Sequence, residues 1–198
     1  MIVGLTGGIA TGKSESAKYL QKLGAYCVDA DLISKELTRK GLPAFNGLVK
    51  EFGKNILFLN GSLDRKKLGD IIFSDREARC KVEKILHKHI ILRIKKIVFK
   101  KRDECSIIII NAPLLFEVGL DKLCDKVIVV WVPYKIEMGR LILRDKLSAQ
   151  EAKKRIQSQL PIEKKMELAD FVIDNSGTEQ KLRSNIISLY KLLTSKLE

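Results

Sequence analysis

Near the start of the chain, Gly7-Gly8-Ile9-Ala10-Thr11-Gly12-Lys13-Ser14 has the spacing G-x-x-x-x-G-K-S, the Walker A pattern. Glycines at Gly7, Gly8 and Gly12 let a backbone turn so that successive N–H groups converge on a phosphate chain. A helix starting after the turn adds the positive end of its dipole. Lys13 supplies a mobile charge for β- and γ-phosphates, and the Ser14 hydroxyl is placed to ligate Mg²⁺. The chemistry this spacing points to is the handling of a nucleoside triphosphate.

Other polar residues fall where such chemistry needs them. Asp29 and Asp31 follow a short apolar run. An alcohol attacking a γ-phosphate needs a group that orients the hydroxyl and takes its proton, and Asp31 fits that role. From position it fits equally well as a residue that opens the next helix. Asp29 is expected to hold metal waters or to position its neighbour. Asn111 ends a run of isoleucines where many such proteins carry an acid; as an amide it orients a metal-bound water without adding charge, and Glu117 is the nearest carboxylate. Arg140 and Arg144 are four residues apart, so on a helix they share a face. With Arg155 and Lys164 they form a cationic segment suited to closing over a transferring phosphoryl group. His87 and His89 lie two apart on a helix, hence on different faces, and lack a metal-spaced partner.

These residues need a scaffold that gathers them. Ile2–Thr6 reads as a buried strand and Ser14–Leu23 as a helix with Ala17, Leu20 and Leu23 on one face. Tyr26–Val28, Ser106–Ile110, Lys126–Val132 and Phe171–Asp174 read as further strands. A helix is expected over 32–40, another over 44–52, and a short extended piece at Ile56-Leu57. Asp64 and Asp75 read as N-caps, the second of a long helix carrying Val82, Ile85, Ile90, Ile94 and Val98. Helices over 134–146, 148–158 and 161–168 and a closing helix with Leu182, Ile186, Leu189 and Leu193 complete the pattern. Strand–helix alternation around a five-stranded core predicts an α/β fold with a parallel, doubly wound sheet. The polar clusters then sit at the strand C-terminal ends, where such sheets bind ligands.

Composition narrows the class. The chain has 198 residues, 45% of them hydrophobic, enough for one full core. Its 37 Lys and Arg against 24 Asp and Glu leave a net charge of +13, which favours polyanionic partners. No finger spacing or aromatic-interleaved basic strand accompanies that charge, so no nucleic-acid partner is expected. The four scattered cysteines read as free thiols of a cytoplasmic protein. No apolar run reaches spanning length and no leader precedes the first strand, so no membrane association is expected. A monomer or weak homo-oligomer is the expectation.

Four segments together resemble one family. They are Gly4–Ile9 running into Gly12-Lys13-Ser14, Val28-Asp29-Ala30-Asp31, Pro113-Leu114-Leu115-Phe116-Glu117, and Ala169–Gly177. With Leu63-Asp64-Arg65 and Glu83–His87 between them, they resemble dephospho-CoA kinase along essentially the whole chain. The resemblance implies a P-loop kinase-type three-layer sandwich that uses ATP and Mg²⁺ to phosphorylate the ribose 3′-hydroxyl of dephospho-CoA, the last step of coenzyme A synthesis. It implies a nucleotide-binding core (1–33, 104–133, 169–198), a helical acceptor domain (34–103) and a lid (134–168). Gly7, Gly8, Ala10, Thr11, Gly12, Lys13, Ser14 and Glu15 would then hold ATP, with Asn175, Ser176 and Gly177 near the adenine. Asp29, Asp31, Asp64, Arg65, Leu115 and Glu117 would face the acceptor, and Arg140 and Arg144 would be lid arginines. The chain departs from the family pattern at Ala10 for Gly, Glu15 for Thr, Lys88 for Pro, Asn111 for Asp and Glu137 for Gln. Ala10 suits the loop if its φ stays negative. Other P-loop nucleoside or nucleotide kinases share the core. A GTPase-like switch would need an N-K-x-D guanine reader, and none is present.

Overall fold

The β-branched runs form one sheet: β1 (Ile2–Gly7), β2 (Tyr26–Asp29), β3 (Ile108–Asn111), β4 (Lys126–Trp131) and β5 (Phe171–Asp174). The computed structural model describes residues 1–195, so the last three residues of the expected core segment lie outside the described residues. The strand order is β2-β3-β1-β4-β5 and every pairing is parallel. Gly7, Asp29, Asn111, Trp131 and Asp174 therefore end on one edge. Two strands lie on each side of β1, and ligands bind where the winding of such sheets reverses. The register places Asn111 opposite both Leu5 and Asp29. The third strand starts two residues later than Ser106, because the Ser106 carbonyl accepts the terminal ammonium of Met1 outside the ladder.

The chain divides into two compact units, one holding residues 1–29 and 97 onward, the other Ala30–Lys96. In the first, α1 (Lys13–Lys22) and α9 (Glu179–Thr194) cover one face of the sheet. Val3, Leu5, Ile109, Ile128, Val130 and Ile173 pack there against Ala17, Leu20, Leu182, Ile186 and Leu193. Alternation along the strands and 3.6-residue spacing on the helices direct these apolar atoms into one core, the main drive for folding. The first unit also holds α6 (Tyr134–Asp145), α7 (Ala149–Gln157) and α8 (Ile162–Glu167). A capping box between Ser148 and Glu151 starts α7.

The second unit contains α2 (Ala30–Leu37), α3 (Pro43–Phe52), α4 (Arg65–Ser74) and the start of α5 (Arg76–Lys101). Its core is Phe45, Leu48, Ile56, Leu63, Leu68 and Val82. Asp64 caps α4 by accepting the Lys67 N–H at 3.0 Å, and Asp75 accepts from Glu77 and Ala78 at the start of α5. The extended piece at Ile56-Leu57 is absent: Lys54–Ile56 is a 3-10 turn, and only Leu57 pairs, with Leu63. Burying Ile56 fully in the helical core turns the backbone there. The units divide after Asp29, where β2 hands straight over to α2 at Ala30, and after Lys96, within α5.

Candidate active site

The turn between β1 and α1 is held by its own atoms and by two other elements of the first unit. Thr11, 1% exposed, donates its hydroxyl to the Gly8 carbonyl at 3.1 Å. Asn175, just past β5, donates its amide to the Thr11 carbonyl at 2.7 Å, and the Arg140 guanidinium donates to the Asn175 carbonyl at 3.1 Å. From α6, the Glu137 carboxylate accepts the Ile9 backbone N–H. The glycines serve two different needs. Gly7 and Gly8 do not take positive φ; they permit close approach, since a Cβ on Gly7 would stand 2.5 Å from the Val130 carbonyl and one on Gly8 would collide with Glu137. The left-handed residues are Gly12 at φ 96° and, against expectation, Ala10 at φ 60°. Alternating handedness is what makes a nest, so an alanine adopts the strained form to keep it.

Lys13 and Asp29 are joined through Asn111. The Lys13 ammonium donates to Asn111 Oδ1 at 2.7 Å, and Asn111 Nδ2 donates to Asp29 Oδ2 at 2.6 Å. Asn111 is 1% exposed. Its amide thus bridges a cation and an anion, a use its place at a strand end did not reveal. A neutral amide donates on one side and accepts on the other, which a carboxylate at this position does not. Ser14 is exposed in the first turn of α1, and Glu15 pairs with Lys18 at 3.0 Å. A cavity of about 440 Å³ opens between Glu15, Arg140, Asn175, Gly177, Glu179 and Leu182. Ser176 donates its backbone N–H to Asp174, shaping the loop beside that cavity.

A match to the dephospho-CoA kinase family covers residues 1–181. The chain belongs to the dephospho-CoA kinase family. It is 41% identical to the dephospho-CoA kinase of Bacillus licheniformis over 98% of this chain and 95% of that one. It is 43% identical to that of Aquifex aeolicus over 97% of each. The solved dephospho-CoA kinase of Campylobacter jejuni superposes with a TM-score of 0.72 at 29% identity, over 100% of this chain and 98% of that one. The parallel five-stranded core is accordingly that of a P-loop kinase, and the chain is a phosphotransferase.

Within that family frame, several expected site residues have other work. Leu115 is fully buried, packed where Gly4 leaves room for its methyls, so its side chain is unavailable to an acceptor. Glu117 accepts the Leu160 N–H and pairs with Lys165, both at 2.9 Å. Lys165 is 0% exposed and also donates to the Pro113 carbonyl at 2.7 Å; burial pushes its pKa down. The 113–117 turn and α8 are therefore locked by a buried lysine that the sequence pattern did not distinguish from its neighbour. Lys164, the residue expected to act, lies on the surface against Glu167. Arg144 and Arg155 both grip Asp145, and Arg140 reaches the β5 loop. In the second unit, Arg65 donates to the Lys35 carbonyl and the Thr38 hydroxyl, tying α4 to the end of α2. Asp31 is exposed in the first turn of α2, one residue inside the helix.

The strained loop residue gives a direct test. Ala10→Gly removes the left-handed penalty of about 1–2 kcal/mol and adds about 0.5–1 kcal/mol of chain entropy to the unfolded state. A net gain of up to about 1.5 kcal/mol is expected in denaturant unfolding, and a loss would show that residue 10 does not need the left-handed form.

Proposed function

We propose that the chain transfers the γ-phosphoryl group of ATP to the ribose 3′-hydroxyl of dephospho-CoA, completing coenzyme A. Family membership supports the reaction class, and the Lys13–Asn111–Asp29 bridge at the mouth of the phosphate loop is the observation that carries it. The bridge holds the Lys13 ammonium at the end of β3, so its charge is in place before the triphosphate arrives. Preorganised charge of this kind lowers a barrier without reorganisation during the reaction.

The acceptor oxygen attacks the γ-phosphorus as the bond to the β-phosphate oxygen breaks, and ADP leaves. In this reading Asp31 orients the hydroxyl and takes its proton. Loop amides and Lys13 bind the β- and γ-phosphates. Arg140, with Arg144 if it leaves Asp145, counters charge on the equatorial oxygens. The cavity bounded by Arg140, Asn175 and Gly177 receives the adenine. Mg²⁺ would suit the oxygen donors present: Ser14 would hold it, with Asn111 and Asp29 beside its waters. When bound, it neutralises phosphate charge. Among the described residues no group of three or more His, Cys, Asp or Glu could hold a metal ion. The helical unit, with Asp64 and Arg65, serves the acceptor, and residues 134–168 act as the lid.

Among the described residues no helix is long and apolar enough to cross a membrane. The four cysteines are free, which accords with work in the reducing cytoplasm.

Incubation with ATP, Mg²⁺ and either dephospho-CoA, nucleosides or nucleoside monophosphates tests the acceptor. Product from dephospho-CoA alone is expected, and preference for a nucleoside would replace this reading with another P-loop kinase. Lys13→Ala should lower turnover by a factor on the order of 10³ or more with the fold intact by circular dichroism. A near-normal rate would take the loop out of the mechanism. Asp31→Asn should reduce kcat at least about a hundredfold while the Kd for ATP changes little. Unchanged kcat would leave Asp31 as a helix-opening residue only.

A further inference from the structure

Glu137 is unusual among the carboxylates of this chain. It projects from α6 into the turn that grips phosphate, is 3% exposed, and accepts the Ile9 N–H of that turn. Its Oε1 fills the space that the missing side chain of Gly8 leaves. An anionic group is thus built into a loop whose purpose is to bind another anion.

We propose that Glu137 is a proton-linked latch of the phosphate loop: when ATP binds, Glu137 takes up one proton from bulk solvent. The proposal rests on the loop being the ATP site. Ionised, Glu137 anchors Ile9 and keeps the empty loop in shape. With a triphosphate alongside, two negative charges share a water-poor space, and the weaker acid is neutralised. A protonated carboxyl still accepts the Ile9 N–H through its carbonyl oxygen, so the anchor survives.

The surroundings place the group where this exchange is easy. The Glu137 carboxyl is pushed up to about 7: burial is the main cause, the Ile9 N–H opposes it, Glu163 on α8 adds to the rise and Lys165, also on α8, opposes it. The turn itself presents the backbone of Gly8 and Ile9 to it. Lys165 is already paired with Glu117 and so does not neutralise Glu137 alone. A group with a raised folded pKa is protonated below that value and ionised above it. Added phosphate charge raises it again, so ATP binding draws in a proton chiefly above neutral pH, and affinity falls as pH rises.

Calorimetric titration of the full chain with ATP and Mg²⁺, in buffers of different ionisation enthalpy, counts that proton. In the native protein, net uptake is expected from about pH 7 to 8, with Kd rising by up to about tenfold per pH unit. Glu137→Gln keeps an acceptor for Ile9 and should lose this uptake and the matching slope. Glu163→Gln, at an exposed position, should shift the uptake to lower pH. ATP binding without proton uptake, uptake that survives Glu137→Gln, or no shift in Glu163→Gln overturns the proposal. Failure to bind ATP at any pH overturns the assignment of the loop, and the latch with it.

Discussion

The left-handed backbone of the turn between β1 and α1 is the constraint on which the rest of this structure depends. A nest of N–H groups is unstable when left alone: each donor needs a partner, and the turn that aims them requires left-handed backbone at Ala10 and Gly12. The fold meets that demand by bracing the turn from distant parts of the chain. Asn175 holds the Thr11 carbonyl from beyond β5, and Glu137 holds the Ile9 amide from α6. Both braces come from segments more than a hundred residues downstream, so the loop acquires its shape only with the complete sheet. Placing β1 between β3 and β4 is what brings those segments to the same edge.

Buried charge is handled in the same economical way. Lys13 and Asp29 reach one another through a neutral amide, and Lys165 is satisfied by Glu117 and the Pro113 carbonyl. Among the described residues, no buried side-chain polar atom lacks a hydrogen-bond partner. Ion pairs out of water gain little net stability because desolvation opposes attraction. Their value here is positional: the lysine of the loop and the turn at 113–117 each have one satisfied arrangement, and departing from it would strand a charge.

The helical unit follows simpler rules. α4 and α5 start after residues whose side chains accept the first free amides, Asp64 and Asp75, and α3 starts at Pro43, whose fixed φ suits a first turn. Its apolar stripes meet in one small core. Arg65, which caps the carbonyl end of α2 from α4, adds a long-range polar tie that complements the dipole of that helix.

The sequence by itself determined the parallel sheet, the phosphate-gripping turn, the helix caps and the family, because each is written in residues close together: alternation, glycine spacing, an Asp before a stripe. Contacts between remote residues were decided by the tertiary structure alone. Asn111 read as a strand-end amide and is the bridge between Lys13 and Asp29; Leu115 read as an acceptor contact and is core. Lys164 and Lys165 are indistinguishable by type, yet one is solvated and the other fully buried, since a helix turns about 100° per residue and packing selects the face. Glu137 is the clearest case. Nothing near it in the chain marks a carboxylate for burial; its role comes from α6 meeting a loop 129 residues earlier, where Gly8 leaves a gap for its carboxylate.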